Sequence, residues 1–214
     1  MGRHATAAAA SKDSPLQLVV PSLAHLDAYA DALRRGWSPD NVRLEAAARE
    51  ELALIDADPA AFVATLDDRE AKAGPITLPD GSQVPRLPGY RRWMWDGAFC
   101  GSIGFRWQPG TTALPSHCLG HIGYAVVPWK RGNGYATRAL ALLLPEARQE
   151  GLDYVELTTD VDNLPSQKVI SANRGVFIKR FLKDPAYGDV EALLWRIPLG
   201  GLPAGAHDGL DHRR

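Results

Sequence analysis

The chain predicts a mixed α/β fold in one domain, and three observations lead there. Its 214 residues are 45% hydrophobic, enough to bury a real core at a length that favours one domain. Segments with strand-like alternation are interleaved with segments of helical spacing between residues 90 and 198. One strand pattern, Ile122-Gly123-Tyr124-Ala125-Val126-Val127-Pro128, runs through the short glycine-containing loop Arg131-Gly132-Asn133-Gly134-Tyr135-Ala136 into an apolar helix.

Taken in order, the elements justify themselves locally. Leu16 to Val20 reads as an opening strand, and Ser22 caps a helix through Leu23, Leu26, Tyr29, Ala30 and Leu33 that Gly36 ends. Asn41 to Ile55 and Pro59 to Leu66 are expected to be helical. Ile76-Thr77-Leu78 and Gln83-Val84 flank the turn-rich Pro79-Asp80-Gly81-Ser82, which predicts a hairpin or ordered loop. Arg92 to Trp95 and Phe99 to Trp107 are antiparallel strands joined at Asp96-Gly97, with Trp93, Trp95 and Trp195 as core residues. After the loop, Ala136, Leu140, Leu143, Leu144 and Ala147 form one apolar helix face. Pro145 predicts a kink or early stop, and Gly151 a terminator. Asp153 to Thr159 alternates as a strand; Asn163 caps a second helix with Pro165 in its first turn; Gly175 to Ile178 resumes a strand.

The loop is built for an anion. A helix start carries unpaired N–H groups and the positive end of the helix dipole. Gly132 and Gly134 let the backbone take positive φ and approach a phosphate, and Lys130, Arg131 and Arg138 add local positive charge to a chain of net charge -1. The spacing matches neither a Walker loop, since no Gly-Lys-Ser/Thr follows, nor a dinucleotide fingerprint, since Thr137 stands at the third glycine position.

Arg131, Gly134 and Ala136 do match Q/R-x-x-G-x-G/A, the pyrophosphate loop of the GNAT family of acetyl-CoA-dependent N-acetyltransferases, which this sequence resembles. The order strand, loop, helix, strand, Asn-capped helix, strand is also that family's, and Asn163 and Ser166 fit its N-x-x-A/S motif. The resemblance covers residues 90 to 198 well and 16 to 89 loosely. It implies a GNAT-like fold with a central, mostly antiparallel sheet flanked by helices and splayed between the strands at 120–127 and 153–159. It implies acetyl-CoA as co-substrate, with the pyrophosphate on Arg131, Gly132, Asn133, Gly134, Tyr135, Ala136 and Thr137. The pantetheine arm would lie along Tyr124, Ala125 and Val126, with the Tyr124 N–H at the thioester oxygen, and Asn163 and Ser166 on the far side.

The proton-handling residues depart from the family. Ile170 occupies the place of the usual tyrosine acid, and Ile122 and Gly120 those of the side-chain base. His121, Tyr124 and Tyr187 remain as catalytic candidates; strand alternation sends His121 and Tyr124 to opposite faces. His121 has the better intrinsic pKa for a base, against a structural histidine as its other reading. Tyr187 lies in a loop, Asp184 to Gly188, that in the family borders the acceptor, as would Trp37, the 74–90 loop and Trp107.

Composition narrows the partners. Near-neutral charge shows no nucleic-acid stripe or membrane-binding face, no stretch reaches transmembrane length, and His117, Cys118 and His121 match no standard zinc spacing, so no metal is expected. Two cysteines without a secretory signal suit the cytoplasm. Residues 1–14 and 200–214 read as disordered tails around a domain at 15–199. The resemblance implies direct acetyl transfer to a primary amine of a small molecule or peptide, leaves a homodimer open, and leaves a catalytically idle acyl-CoA-binding sensor or complex subunit as the alternative.

Overall fold

The computed structural model describes residues 15–200, so the two expected tails, 1–14 and 200–214, lie outside the described residues except for Gly200. A first sheet has the order β1 (Gln17–Val19), β5 (Gly89–Trp95), β6 (Phe99–Arg106), β7 (Ile122–Val126), with the short β2 (Asp67–Asp68) also on β5. A second has the order β8 (Tyr154–Asp160), β10 (Glu191–Pro198), β9 (Val176–Leu182). The expected hairpin is β3 (Ile76–Thr77) paired with β4 (Gln83–Val84). All these pairings are antiparallel.

Alternation along the first sheet feeds two cores. Trp93, Phe99, Ala125 and Val127 pack against α1 (Leu23–Arg34), α2 (Leu44–Ala57) and α3 (Pro59–Thr65). Met94, Cys100, Ile103 and Phe105 face α4 (Tyr135–Gln149), whose Leu140, Leu143 and Ala147 are fully buried. That second core also takes in Val155, Leu157 and Ile197 of the other sheet and Ile170 of α5 (Leu164–Ala172). Truncating Leu140 or Leu143 to alanine costs roughly 2–5 kcal/mol by the usual transfer and cavity terms.

Several expectations change here. Trp37 and Trp107 are core residues, at 2% and 8% exposure, and not acceptor-side groups. Trp37 packs on Tyr29 and Phe99, and Trp107 stacks on Phe105. Trp95 and Trp195 are only partly buried. Pro145 does not stop α4, which runs on to Gln149. Both Pro145 and Ala141, the residue whose carbonyl loses its N–H partner, lie on the exposed side, where water can take that carbonyl's bond.

The expected single splayed sheet is two hydrogen-bonded sheets. β7 and β8 meet only at their base, where the His121 amide donates to the Glu156 carbonyl at 2.8 Å and the Glu156 amide donates to His121 Nδ1 at 2.9 Å. Gly120 makes this closeness possible. Its φ is +152°, and a Cβ there would stand 2.9 Å from the Glu156 carbonyl oxygen. Beyond this clasp no ladder joins the strands, so the splay is complete enough to divide the sheet.

Candidate active site

Each strand bordering the splay turns one set of main-chain groups into it. The His121 carbonyl accepts from Arg106 and the Val127 amide donates to Cys100, both on β6. By alternation Gly123 and Ala125 also face β6, whereas Tyr124 and Val126 point their N–H and C=O away from it. Two contacts agree: the Tyr124 carbonyl accepts from Asn41 Nδ2 and the Val126 carbonyl from Arg131 Nε, each at 3.3 Å. Ala125 therefore leaves the set of residues with free main chain; it pairs with Ser102 and its side chain is buried. On β8, the Glu156 main chain faces His121, so Thr158 two residues on also faces the opening.

At the end of β7 lies the anion loop. A 3-10 turn, Pro128–Lys130, leads into it, and Gly134 caps α4 with φ +70° while Gly132 has φ +80°. A Cβ at either glycine meets nothing within 4 Å, so the space over the loop is open to a ligand. Tyr135, Ala136 and Thr137 form the first turn of α4, where helix geometry leaves N–H groups without intrahelical partners. Asn133 Nδ2 ties the loop back to the carbonyls of Lys130 and Arg131 at 3.0 and 3.3 Å. Arg131 and Arg138 are exposed beside it. Lys130 is not available to a phosphate as expected: its ammonium is 2.5 Å from Asp96 Oδ1 and also reaches Cys100 Sγ at 3.5 Å. Tyr135 donates its hydroxyl to the other Asp96 oxygen.

Across the splay, Asn163 caps α5 by accepting the Ser166 amide at 3.1 Å. Ser166 Oγ stands 2.7 Å from the Tyr124 hydroxyl, so these two side chains bridge β7 and α5. Burial pushes the Tyr124 phenol up to about 12, against the lowering effect of Ser166. A phenol of that kind keeps its proton throughout the neutral range. Ile170, one helical turn beyond Ser166, is fully buried.

His121 is removed from the candidate bases. Its side chain has no exposure, Nδ1 accepts the Glu156 amide, and Nε2 is buried without a partner among the described residues. Burial lowers its pKa, outweighing the nearby Glu156 carboxylate. It holds β7 to β8. Tyr187, in the 3-10 turn Pro185–Tyr187, donates its hydroxyl to the His117 carbonyl at 3.0 Å, and burial raises its pKa. Cys100 and Cys118 are free thiols.

Beside the base of the splay opens a cavity of about 410 Å³. Its floor is the outer face of β8, β10 and β9, its walls the segments 114–120 and 182–185. The loop preceding Tyr187 thus borders the cavity, while the 74–90 loop does not line it. Sequence reasoning did not single out Glu156 and Thr158, which line the floor; their alternation marks an ordinary polar strand face until a second loop closes over it.

Residues 76–175 match the family described as "Acetyltransferase (GNAT) family". The sequence matches no curated protein. Among solved structures the chain is similar to the microcin C7 self-immunity acetyltransferase in complex with acetyl-CoA and AMP, at 13% identity and a TM-score of 0.56, covering 87% of this chain and 93% of that one. It is similar as well to the Salmonella typhimurium acetyltransferase that modifies the N-terminal serine of the 50S ribosomal subunit protein L7/L12, at 13% identity and a TM-score of 0.57, over 87% and 96% of the two chains. At these identities the structural likeness concerns the fold, and the activity follows from the family match. Residues 76–175 carry the match to the GNAT acetyltransferase domain, and the fold around them is that of acetyltransferases, one of them solved with acetyl-CoA.

Proposed function

We propose that this protein moves the acetyl group of acetyl-CoA directly to a primary amine. One observation carries the reading: the main-chain edge of Tyr124 and Val126, turned away from β6 and paired with no strand, runs straight into the anion loop at Gly132 and Gly134. An extended arm with amide groups can pair with that edge while its pyrophosphate rests on the helix start. In the transfer, the amine nitrogen bonds to the acyl carbon, the carbon–sulfur bond breaks, and the sulfur leaves as thiol after gaining a proton.

The Tyr124 N–H faces the developing oxyanion in this reading, and its hydroxyl, protonated and on the α5 side of the splay, supplies the thiol's proton. With Ile170 in the family's tyrosine position, the phenol comes from β7 instead of α5. The amine loses its own proton to solvent, since His121 is sealed in the core. An acceptor enters through the cavity next to Gly120. The solved acetyltransferase that modifies the N-terminal serine of a ribosomal protein agrees with an amine acceptor.

Gly134→Val tests this reading. The added side chain fills open space over the loop and sits at positive φ, so the fold is strained by about 1–2 kcal/mol while acetyl-CoA binding falls at least ~tenfold. Calorimetry with acetyl-CoA reads the loss, and unchanged affinity in a folded variant counts against the assignment.

A further inference from the structure

The floor of the acceptor cavity carries its own chemical pattern. Strand pairing sets Thr158, Leu194 and Lys179 side by side in one row across β8, β10 and β9. Thr158 Oγ1 is buried and has no hydrogen-bond partner among the described residues, and it lies on the strand that borders the splay. Buried hydroxyls are nearly always paired, so an orphan one lining a cavity marks a place where a ligand completes the bonding. Next to it, Glu156 Oε1 accepts two hydrogen bonds from Arg196, at 3.2 and 2.7 Å, and Oε2 has no partner among the described residues.

The opposite end of the row is cationic. Lys179 makes no ion pair among the described residues, whereas the neighbouring Lys183 is held by Asp160 at 2.5 Å. Asp184, the other lining carboxylate, accepts the Ala186 amide with Oδ1. Leu194 lies between the two polar ends, and Leu114 and Leu119 add apolar surface to the walls. Two strand spacings separate Thr158 from Lys179, roughly 9–10 Å between backbones.

We infer that the acceptor is a primary amine with an anionic group at the far end of a short apolar chain, its nitrogen held by Thr158 and Glu156 and its anion by Lys179. The inference rests on the acetyl-transfer reading. The separation places amine and anion several bonds apart and not on one carbon, as they are in an α-amino acid. A carboxylate and a phosphate both meet the requirement.

Free-thiol release from acetyl-CoA is followed with two pairs of amines: aminohexanoate against hexylamine, and aminopropyl phosphate against propylamine. At least one anionic member is expected to exceed its uncharged counterpart ~tenfold or more in kcat/KM, the strength of one charge-assisted contact, and the better of the two names the anion. Lys179→Met, an exposed position, then raises the KM of that anionic amine to the level of its counterpart. Thr158→Val lowers kcat/KM about tenfold for both members of a pair. Equal rates within both pairs, a preference that survives Lys179→Met, or no thiol release from any probe while acetyl-CoA still binds would overturn this acceptor class. Failure to bind acetyl-CoA in calorimetry would instead overturn the reading beneath it.

Discussion

Asp96 sits in the turn between β5 and β6, far in sequence from the anion loop, yet it anchors both ends of that loop. Burial raises its pKa, but the hydrogen bonds from Lys130 and Tyr135 outweigh it and hold the carboxyl at about 2. The folded pKa lies below the unfolded one, so the stabilisation is fully present above pH ~4 and is lost as pH falls toward 2. After allowance for screening by water, it amounts to roughly 1 kcal/mol near neutral pH. Asp96→Asn is expected to unfold at lower urea than the parent at pH 7 and to converge on it near pH 2–3, while acetyl-CoA affinity drops as Lys130 and Tyr135 lose their shared anchor. A stability difference that stays constant from pH 7 to pH 2 would show that Asp96 acts by packing alone.

At the scale of the element, α4 carries the anion loop at one end and a proline near the other. Its Leu140, Leu143 and Ala147 are anchored in the core, so the missing amide at Pro145 is tolerated on the wet face. An interior proline costs about 3 kcal/mol relative to alanine in a helix. Pro145→Ala is therefore expected to stabilise the protein by about 1–3 kcal/mol in a denaturant titration, with acetyl-CoA affinity unchanged, because the loop at Gly134 lies eleven residues away at the other end. Destabilisation would mean that the proline shapes the packing of the last turn. The expected early stop at Pro145 failed for the same reason: periodicity and propensity describe a helix alone, and the burial of Leu143 and Ala147 on either side of the proline decides its length.

Across the whole molecule, the two sheets share a base at His121 and Glu156 and part above it, and that parting divides the labour of the reaction. In the proposed transfer, with His121 enclosed, an alkyl ammonium acceptor with a pKa near 10.4 loses its proton to solvent, at roughly 4.6 kcal/mol at pH 7. The value of kcat/KM is expected to rise about tenfold per pH unit through the neutral range. Tyr124→Phe should lower the whole profile by on the order of 10² without changing its slope, because the phenol stays protonated over that range. A flat profile would reveal a protein base, and an unchanged rate in Tyr124→Phe would leave the thiol's proton to water.

Local chemistry in the sequence was sufficient for the loop, the strands and helices around it, and the family resemblance that residues 76–175 carry. Gly134 takes positive φ at the start of α4 through main-chain geometry that depends on a few adjacent residues, and Asn163 caps α5 as its spacing implied. The tertiary structure alone decided what depends on distant partners. It enclosed His121 and Trp37, spent Lys130 on Asp96, brought the Tyr124 phenol to Ser166, and made a cavity floor of Glu156, Thr158 and Lys179. A strand pattern states which residues share a face but not what covers that face. Burial, ion pairing and the open edge of a splayed sheet are properties of two elements together, and they exist only once the chain has packed.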